Sequence, residues 1–500
     1  MPRELVTLQV GQAGNQVACR FWELALHEHA AHSSLYGDAI STIFANVDAR
    51  GQAIPLSSGP SLSPSCPIFS LRARAVLVDM EESVTAAILR GKLREIFSGP
   101  PVIAGSGGSG NNWAQGFVEH GPAKRDVILD AVRRQVEDCD SLQGFLMMHS
   151  LGGGTGSGVG SYLLTALADE YPEAYRISAP IFPSGDDDVV TSPYNALLAA
   201  SKLVEAADCV VPLDNAALLR TVESTSATTT PVSSGGSKST GGKPFTAMNT
   251  AAATALLGLT APVRFPGSLN VDLGELATNL VPYPRLHFLS ASCVPSTTNT
   301  SASTASAAVA ARSSSSHVRA SGASRTRELT ADAMYRACLQ PAHQLNSHVD
   351  PMRGTNLAVA LLHRGDASLD DAERGVRYLR SKCRMVSWNP HGFKVGLCSV
   401  PPIGYERSLC MLSNNCSVHG GLTSLSDRFQ MLWKRRSYAH HYTNYLSEAD
   451  IEAAHETVVG VAEQYRAIHR KNENGGNEHD DDDGAMYRRR RRSLGLCFST

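Results

Sequence analysis

The seven residues Gly152-Gly-Gly-Thr-Gly-Ser-Gly158 are the part of this chain best suited to chemistry, and that chemistry is the capture of a phosphate. Glycine has no Cβ, so main-chain N–H groups can approach phosphate oxygens closely. The run follows the apolar stretch Gly144-Phe-Leu-Met-Met-His-Ser150 and precedes Val159-Gly-Ser-Tyr-Leu-Leu-Thr-Ala-Leu167, which puts a loop between a strand and a helix. Val159, Tyr162, Leu163, Ala166 and Leu167 form an i, i+3, i+4, i+7, i+8 stripe, the pattern of a helix with one buried face. The four unpaired N–H groups that open such a helix point at the same spot, and the helix dipole favours an anion there. Thr155 and Ser157 add hydroxyl donors. A flexible linker would not be bracketed by a strand and an amphipathic helix.

The elements that must hold this loop recur along the first part of the chain. Leu5–Val10, Ala75–Met80, Pro101–Ala104, Phe145–His149, Ile177–Phe182 and Cys209–Leu213 read as strands, with helical patterns between them. That βαβα order predicts a doubly wound parallel sheet, in which ligands sit beyond the carboxyl ends of the strands. Polar turns fall at four of those ends: Gly11-Gln-Ala-Gly-Asn-Gln16, Asp79-Met-Glu81, Gly105–Asn112 and the glycine run. Four loops are therefore expected to converge on one crevice. Ser192-Pro193 opens a further helix as a cap residue followed by proline, with Asp186-Asp-Asp188 on the loop leading into it.

The 500 residues have room for about three domains and a large core. A hydrophobic content of 42%, a charged content of 18% and a net charge of −2 describe an ordinary globular chain, with no overall charge that calls for nucleic acid or a membrane surface. No apolar run is long enough to span a bilayer and the first residues lack a signal peptide's apolar core, so a cytoplasmic protein is expected. The 11 cysteines include no Cys-x-x-Cys pair, which points to reduced thiols rather than a zinc site or a disulfide framework. Ser224–Lys243 and Pro295–Arg327 are too poor in apolar residues to offset ordering entropy and are expected to be disordered inserts. Between them Pro244–Gly258 reads as a largely apolar helix; the last third holds strands near Leu357–Leu362, Phe393–Val400 and Ser408–Leu412, then helices over about Leu422–Tyr442 and Ser447–His469. The tail beyond Lys471 is polar, with an aspartate run and an arginine run.

Several motifs are decoys. Gly105-Ser-Gly107-Gly-Ser-Gly110 matches the dinucleotide pattern G-x-G-x-x-G, but Asn111-Asn-Trp113 follows where that motif needs an apolar helix. Gly235-Gly-Ser-Lys-Ser-Thr240 has neither the glycine before lysine nor the leading strand of a P-loop. His27, His29 and His32 have no carboxylate or cysteine at metal spacing and read as helix-surface residues. Cys497 outlines a prenylation box, with Ser499 at a usually aliphatic position; the tail reads as solvated.

With these motifs on the page the chain resembles the tubulin family, from Leu5 to about Tyr465 outside the two inserts. Gly11–Gln16, Gly110-Asn-Asn-Trp-Ala114, Gly152–Gly158, Ser192-Pro-Tyr-Asn195, Leu213-Asp-Asn215, Gly267-Ser-Leu-Asn-Val-Asp272, Asn279-Leu-Val-Pro-Tyr-Pro284 and Met411-Leu-Ser-Asn414 stand in family order. The glycine run alone would also suit the bacterial relative FtsZ. Asp79-Met-Glu-Glu82, Ser387-Trp-Asn389, Leu397-Cys-Ser-Val-Pro-Pro402 and His440-His-Tyr442 resemble the epsilon type within the family. The resemblance implies a nucleotide-binding GTPase domain over 1–215, an intermediate α+β domain over 216–412, and a C-terminal helical hairpin with a charged tail over 413–500.

The resemblance also implies a site. Gln12, Gln16, Ser150 and Gly152, Gly153, Gly154, Thr155 and Gly156 would contact phosphates of GTP or GDP. Asp79 and Glu81 would lie near Mg2+, with Gly110 and Asn111 closing over the γ-phosphate. Asp188 would face the ribose, Asn215 and Asn249 would read guanine, and Phe245 would stack on it where alpha and beta chains carry tyrosine. Glu275 would act on the nucleotide of a longitudinal neighbour. Expected partners are other tubulins, delta-tubulin above all and also alpha or beta chains, and centriolar or basal-body proteins, with no nucleic acid and no membrane. The expected location is the cytoplasm and cytoskeleton at the centrosome, centriole or basal body. Two other functions stay open: a structural adaptor that holds GTP without hydrolysing it, and a dinucleotide-dependent oxidoreductase.

Overall fold

The computed structural model describes residues 3–32, 37–48, 50, 53, 69–97, 102–105, 107–184, 189–228, 245–295 and 330–473. The chain opens with β1 (Glu4–Val10) and α1 (Gly11–His32), then makes an antiparallel ribbon of β2 (Phe44–Val47) and β3 (Ser70–Ala73). It continues through β4 (Ala75–Asp79), α2 (Glu82–Arg90), β5 (Val102–Ala104), α3 (Gly121–Glu137), β6 (Leu142–Ser150), α4 (Gly160–Glu170) and β7 (Tyr175–Phe182). Next come α5 (Ser192–Ala206), the short strands β8 (Cys209–Val210) and β9 (Leu213–Asp214), and α6 (Asn215–Thr228).

Seven of these strands form a sheet in the order β5-β4-β1-β6-β7-β8, with β9 also on β7, and every pairing in it is parallel. A parallel sheet needs cover on both faces, and the strand residues divide accordingly. Val6, Leu8, Val10, Val76, Val78, Phe145 and Met147 pack with α3, α4 and α5, while Leu5, Leu77, Leu146 and Met148 pack with α1 and the helix α7 (Phe245–Arg264). The predicted α/β doubly wound sheet is thus present. The run Cys209–Leu213 is two short strands rather than one.

The second half adds α8 (Leu273–Leu280), β10 (Ser290–Pro295), α9 (Ala331–Ala337), β11 (Thr355–Gly365), α10 (Leu369–Lys382), β12 (Arg384–Met385), β13 (Phe393–Cys398) and β14 (Arg407–Asn415). These strands make a mixed sheet in the order β10-β14-β11-β12, with β13 on β11. Glu28 of α1 lies between Arg264 of α7 and Arg364 of β11 at 2.9 Å from each, all three buried. Burial alone would raise the Glu28 carboxyl, but the two guanidinium groups outweigh it and hold it below its ordinary range.

The chain ends in α11 (Val418–Trp433), α12 (His440–Thr443) and α13 (Glu448–Glu473), which pack on α5. One continuous helix over Leu422–Tyr442 is not what forms. Arg436 and Tyr438 take φ values of 53° and 60°, and this left-handed pair breaks the helix and folds α12 back toward α5.

Other expectations also shift. His29 is buried at 3% exposure against Phe265, not on a helix surface. Thr191, not Ser192, occupies the cap position of α5. Helix α6 runs to Thr228, so the start of the segment read as the Ser224–Lys243 insert is helical. Residues 229–244 and 296–329, the bulk of both expected inserts, lie outside the described residues, as does the tail beyond 473.

Candidate functional site

Reading outward from the sheet centre, the strand order runs one way from β1 through β4 to β5 and the other way through β6 and β7. Connections leave the sheet on opposite faces at such a reversal and open a crevice beyond the carboxyl ends of β1 and β6. A cleft of about 1390 Å³ lies there. Gln12 and Gln16 line it from one exposed face of α1, one turn apart. Asp79 and Glu81 come from the end of β4, Asn111 from the loop after β5, and Ser150, Gly152, Gly153, Thr155 and Gly156 from the end of β6. Asn215 opens α6, and Phe245 and Asn249 project from the first turns of α7. Residues predicted as contacts from positions far apart in sequence are therefore brought to one cavity.

The glycine loop turns directly into a helix through a π-type turn at Thr155–Val159. Its glycines do different things. Gly153 faces open space, the nearest atom to a Cβ there being Asn111 Oδ1 at 3.7 Å. A Cβ on Gly154 would lie 2.6 Å from Ser109 O and 2.7 Å from Asn112 N, so Gly154 is needed to lock this loop against the one after β5. Gly11 has φ +72°, and a Cβ there would approach Gly156 N to 2.9 Å. The Ser157 hydroxyl, expected as a phosphate donor, is buried and donates to Gly153 O. Thr155 remains on the cleft and shares a hydrogen bond of 3.1 Å with Ser109.

Asp79 is the most perturbed group in the cleft. It is 2% exposed; Oδ1 accepts the Glu81 N–H at 3.2 Å, while Oδ2 has no hydrogen-bond partner. Burial pushes its carboxyl up to about 6 against the opposing pull of main-chain N–H groups. Phe245 keeps 52% of its surface exposed at the mouth of the cleft, an open aromatic face beside two amides. The cleft thus offers an orphaned carboxylate oxygen together with amide and ring faces.

Two predicted contacts do not line it, and a third lies outside the described residues. Gly110 lies beside Asn111 with φ +52°, on the loop but off the cavity wall; Gly154 is buried behind the wall; and Asp188 falls outside the described residues. Glu275 is on α8 in a separate hollow of about 520 Å³, with Leu142 and Tyr175, the first residues of β6 and β7. It is therefore at the amino ends of the strands, roughly 30 Å from the glycine loop by the length of β6. Its carboxylate pairs with Lys394 Nζ at 2.7 Å.

Sequence reasoning missed the residues that hold the loops from behind. His149, read only as part of an apolar strand, is buried with Nδ1 2.8 Å from Gly156 O and Nε2 2.8 Å from Ser178 Oγ. A carbonyl can only accept, so Nδ1 carries a proton, and in the neutral ring Nε2 accepts from the Ser178 hydroxyl. Burial lowers its pKa to about 4. Asn195 and Tyr442, quoted only inside motifs, meet beneath the same loops, and no spacing in the sequence links positions so far apart.

Two parts of the chain match family descriptions: residues 4–223 match the GTPase domain of the Tubulin/FtsZ family and residues 311–427 match the tubulin C-terminal domain. The chain is 43% identical to the tubulin epsilon chain of Homo sapiens over 455 residues, covering 87% of this chain and 90% of that one. It is 42% identical to the tubulin epsilon chain of Mus musculus over the same shares. Identity to the tubulin beta-1 chain of Mus musculus is 32% over 446 residues, 88% of each chain.

Proposed function

The chain belongs to the tubulin family and carries its GTPase domain, and from that premise we propose that it is an epsilon-type cytoskeletal GTP-binding protein that completes a GTPase site on its longitudinal neighbour. The observation that carries the reading is the single cleft that gathers Gln12, Gln16, Asp79, Glu81, Asn111, the glycine loop, Asn215, Phe245 and Asn249 at the carboxyl ends of the parallel strands.

In this reading the chain's own groups divide the nucleotide between them. Main-chain N–H groups of Gly152, Gly153, Thr155 and Gly156 and the side chains of Gln12, Gln16, Ser150 and Thr155 bind the phosphates, with Gly154 packing the loop from behind. Asn215 and Asn249 pair with the guanine edge, Phe245 stacks on its face, and Asp188 takes the ribose. Asp79 and Glu81 hold Mg2+. The fit is supported by the unpartnered Asp79 Oδ2 and by an all-oxygen donor pair; among the described residues no group of three His, Cys, Asp or Glu side chains is arranged for a metal. Magnesium suits one or two carboxylates with phosphate and water completing its shell, and when bound it neutralises charge on the phosphates.

Glu275 faces away from its own chain's cleft, so it serves the nucleotide of the next subunit, where its carboxylate orients a water toward the γ-phosphate. The Lys394 pairing at 2.7 Å favours a second reading, in which the chain holds GTP as a structural adaptor and turns it over negligibly. Both readings place the protein with other tubulins, including delta-tubulin and alpha or beta chains, and with centriolar or basal-body proteins in doublet and triplet microtubules.

The test is to denature the purified protein and identify the released nucleotide by ion-exchange chromatography. GTP or GDP is expected near one per chain; adenine or nicotinamide compounds in their place would overturn the reading.

A further inference from the structure

Asn195 is buried at 0% exposure in α5, and all four of its hydrogen-bonding positions are used. Its Nδ2 donates to Asn111 O and to Gly152 O, each at 2.8 Å. Its Oδ1 accepts from Trp113 N at 2.8 Å and from the Tyr442 hydroxyl at 2.6 Å. One amide therefore ties the loop after β5 to the glycine loop and both to the C-terminal helices. Tyr442 is itself buried, and its ring stacks on Tyr194 at 4.6 Å between centroids. Two further bonds follow the same route: Asn112 Nδ2 donates to His441 O at 2.8 Å, and the Tyr194 hydroxyl donates to Ser437 O at 2.8 Å.

The loop these bonds hold has a defined place in the cleft. Gly105 N donates to Asp79 O and Gly108 N to Met80 O, each at 3.0 Å, and a Cβ on Gly108 would lie 3.2 Å from Glu81 Oε1, so the loop is anchored beside the two carboxylates. Gly110 and Asn111 take successive φ values of 52° and 50°. For the asparagine that conformation is uncommon and persists only where neighbours over-determine it. The Asn111 carbonyl has two such neighbours, the Asn195 amide and the Thr191 hydroxyl at 3.2 Å.

We propose that Asn195, steered by Tyr442, is a positioning residue that sets the Gly110–Asn111 loop against the glycine loop and thereby sets how strongly the chain prefers a nucleoside triphosphate to the diphosphate. The proposal rests on the guanine-nucleotide reading of the cleft. It makes the C-terminal helices part of the nucleotide site, since α12 cannot shift without moving the partner of Asn195. Beside Asp79 and Glu81 the Gly110–Asn111 loop would close on the terminal phosphate, while Asn215, Phe245 and Asn249, which Asn195 does not touch, would keep their contacts to the base.

The experiment is calorimetric titration of nucleotide-stripped full-length protein with GTP and with GDP, each with magnesium, for the wild type, Tyr442→Phe, Asn112→Ala and Ser426→Ala. Tyr442→Phe deletes the hydroxyl that Asn195 accepts and keeps the ring; the loss of one hydrogen bond corresponds to roughly fivefold in affinity. The expected result is a GTP-to-GDP affinity ratio lowered about fivefold, with GDP affinity nearly unchanged, and a shift in the same direction for Asn112→Ala. Ser426→Ala breaks a hydrogen bond between α11 and α13, to His455 at 2.8 Å, away from the loops, and should leave the ratio alone. Equal weakening of GTP and GDP in both loop variants marks a merely structural bond and overturns the proposal, as does an unchanged ratio. A wild-type chain that binds neither nucleotide overturns the underlying reading, and the clamp with it.

Discussion

At the residue scale, the site separates into groups that would touch a nucleotide and groups that hold them. Of the first kind, residue type and position mark the phosphate loops, glycines and hydroxyls after one strand and polar turns at the ends of others, while the roles of the carboxylates, the amides and the Phe245 ring came from the family resemblance. The second kind carries no such mark. His149 sits in an apolar strand where nothing marks it as polar support, and Asn195 acts through atoms from 111, 152 and 442. Ser157 shows the converse, a hydroxyl of the right type whose bond to Gly153 O takes it out of play. Phe245 gives the clearest single-residue prediction. Base stacking on an aromatic ring is worth about 1–3 kcal/mol, so Phe245→Ala should weaken GTP binding roughly tenfold in calorimetry, and Phe245→Tyr should keep it. Equal affinity of Phe245→Ala and the wild type would remove the ring from the site.

At the element scale, the parallel sheet followed from alternation of apolar runs with helical stripes. Burial on both faces makes such strands near-continuously apolar, which the sequence displays directly. Elements defined by long-range contact were harder to read. β10 is short and rich in small residues, and it becomes a strand by pairing with β14 across the chain from Ser290↔Ser413 to Pro295↔Ser408. Helix α10 carries its signal in Ser368 and Asp371, a capping box rather than an apolar stripe. The break between α11 and α12 is invisible to periodicity because it depends on two non-glycine residues held at positive φ. The interlocked loops predict a sharp intolerance at Gly154. A methyl there meets main-chain atoms at 2.6 and 2.7 Å that cannot move independently. Gly154→Ala should lower stability by about 1–3 kcal/mol in urea unfolding and abolish measurable nucleotide binding; wild-type values for both would show that the loops are free to part.

For the whole molecule, the cleft lies at the carboxyl ends of one sheet and Glu275 at its amino ends. Hydrolysis should then depend on contact between chains. Glu275→Ala is expected to bind GTP as the wild type does and to lose turnover only in assembled or mixed complexes, measured by phosphate release; rapid hydrolysis by the isolated wild-type chain that the substitution abolishes would contradict action in trans. The interior also dictates a response to acid. Burial lowers His149, His287 and His363 each to about 4 from the ordinary 6.5. Their neutral forms are favoured only in the folded state, so the contribution is complete above pH 6.5 and is lost as pH falls from 6.5 through 4. Urea unfolding should therefore show lower stability at pH 5 than at pH 7, and equal or greater stability at pH 5 would contradict the burial of neutral rings. The central claim is that the cleft is built for a guanine nucleotide. Its most direct test is displacement of a bound fluorescent GTP analogue from purified, full-length protein by GTP and by ATP. A site that pairs two amides with the base leaves them unmatched by adenine, at roughly 1–3 kcal/mol for each lost partner, so GTP should compete about a hundredfold better than ATP. Equal competition by the two nucleotides would contradict the account.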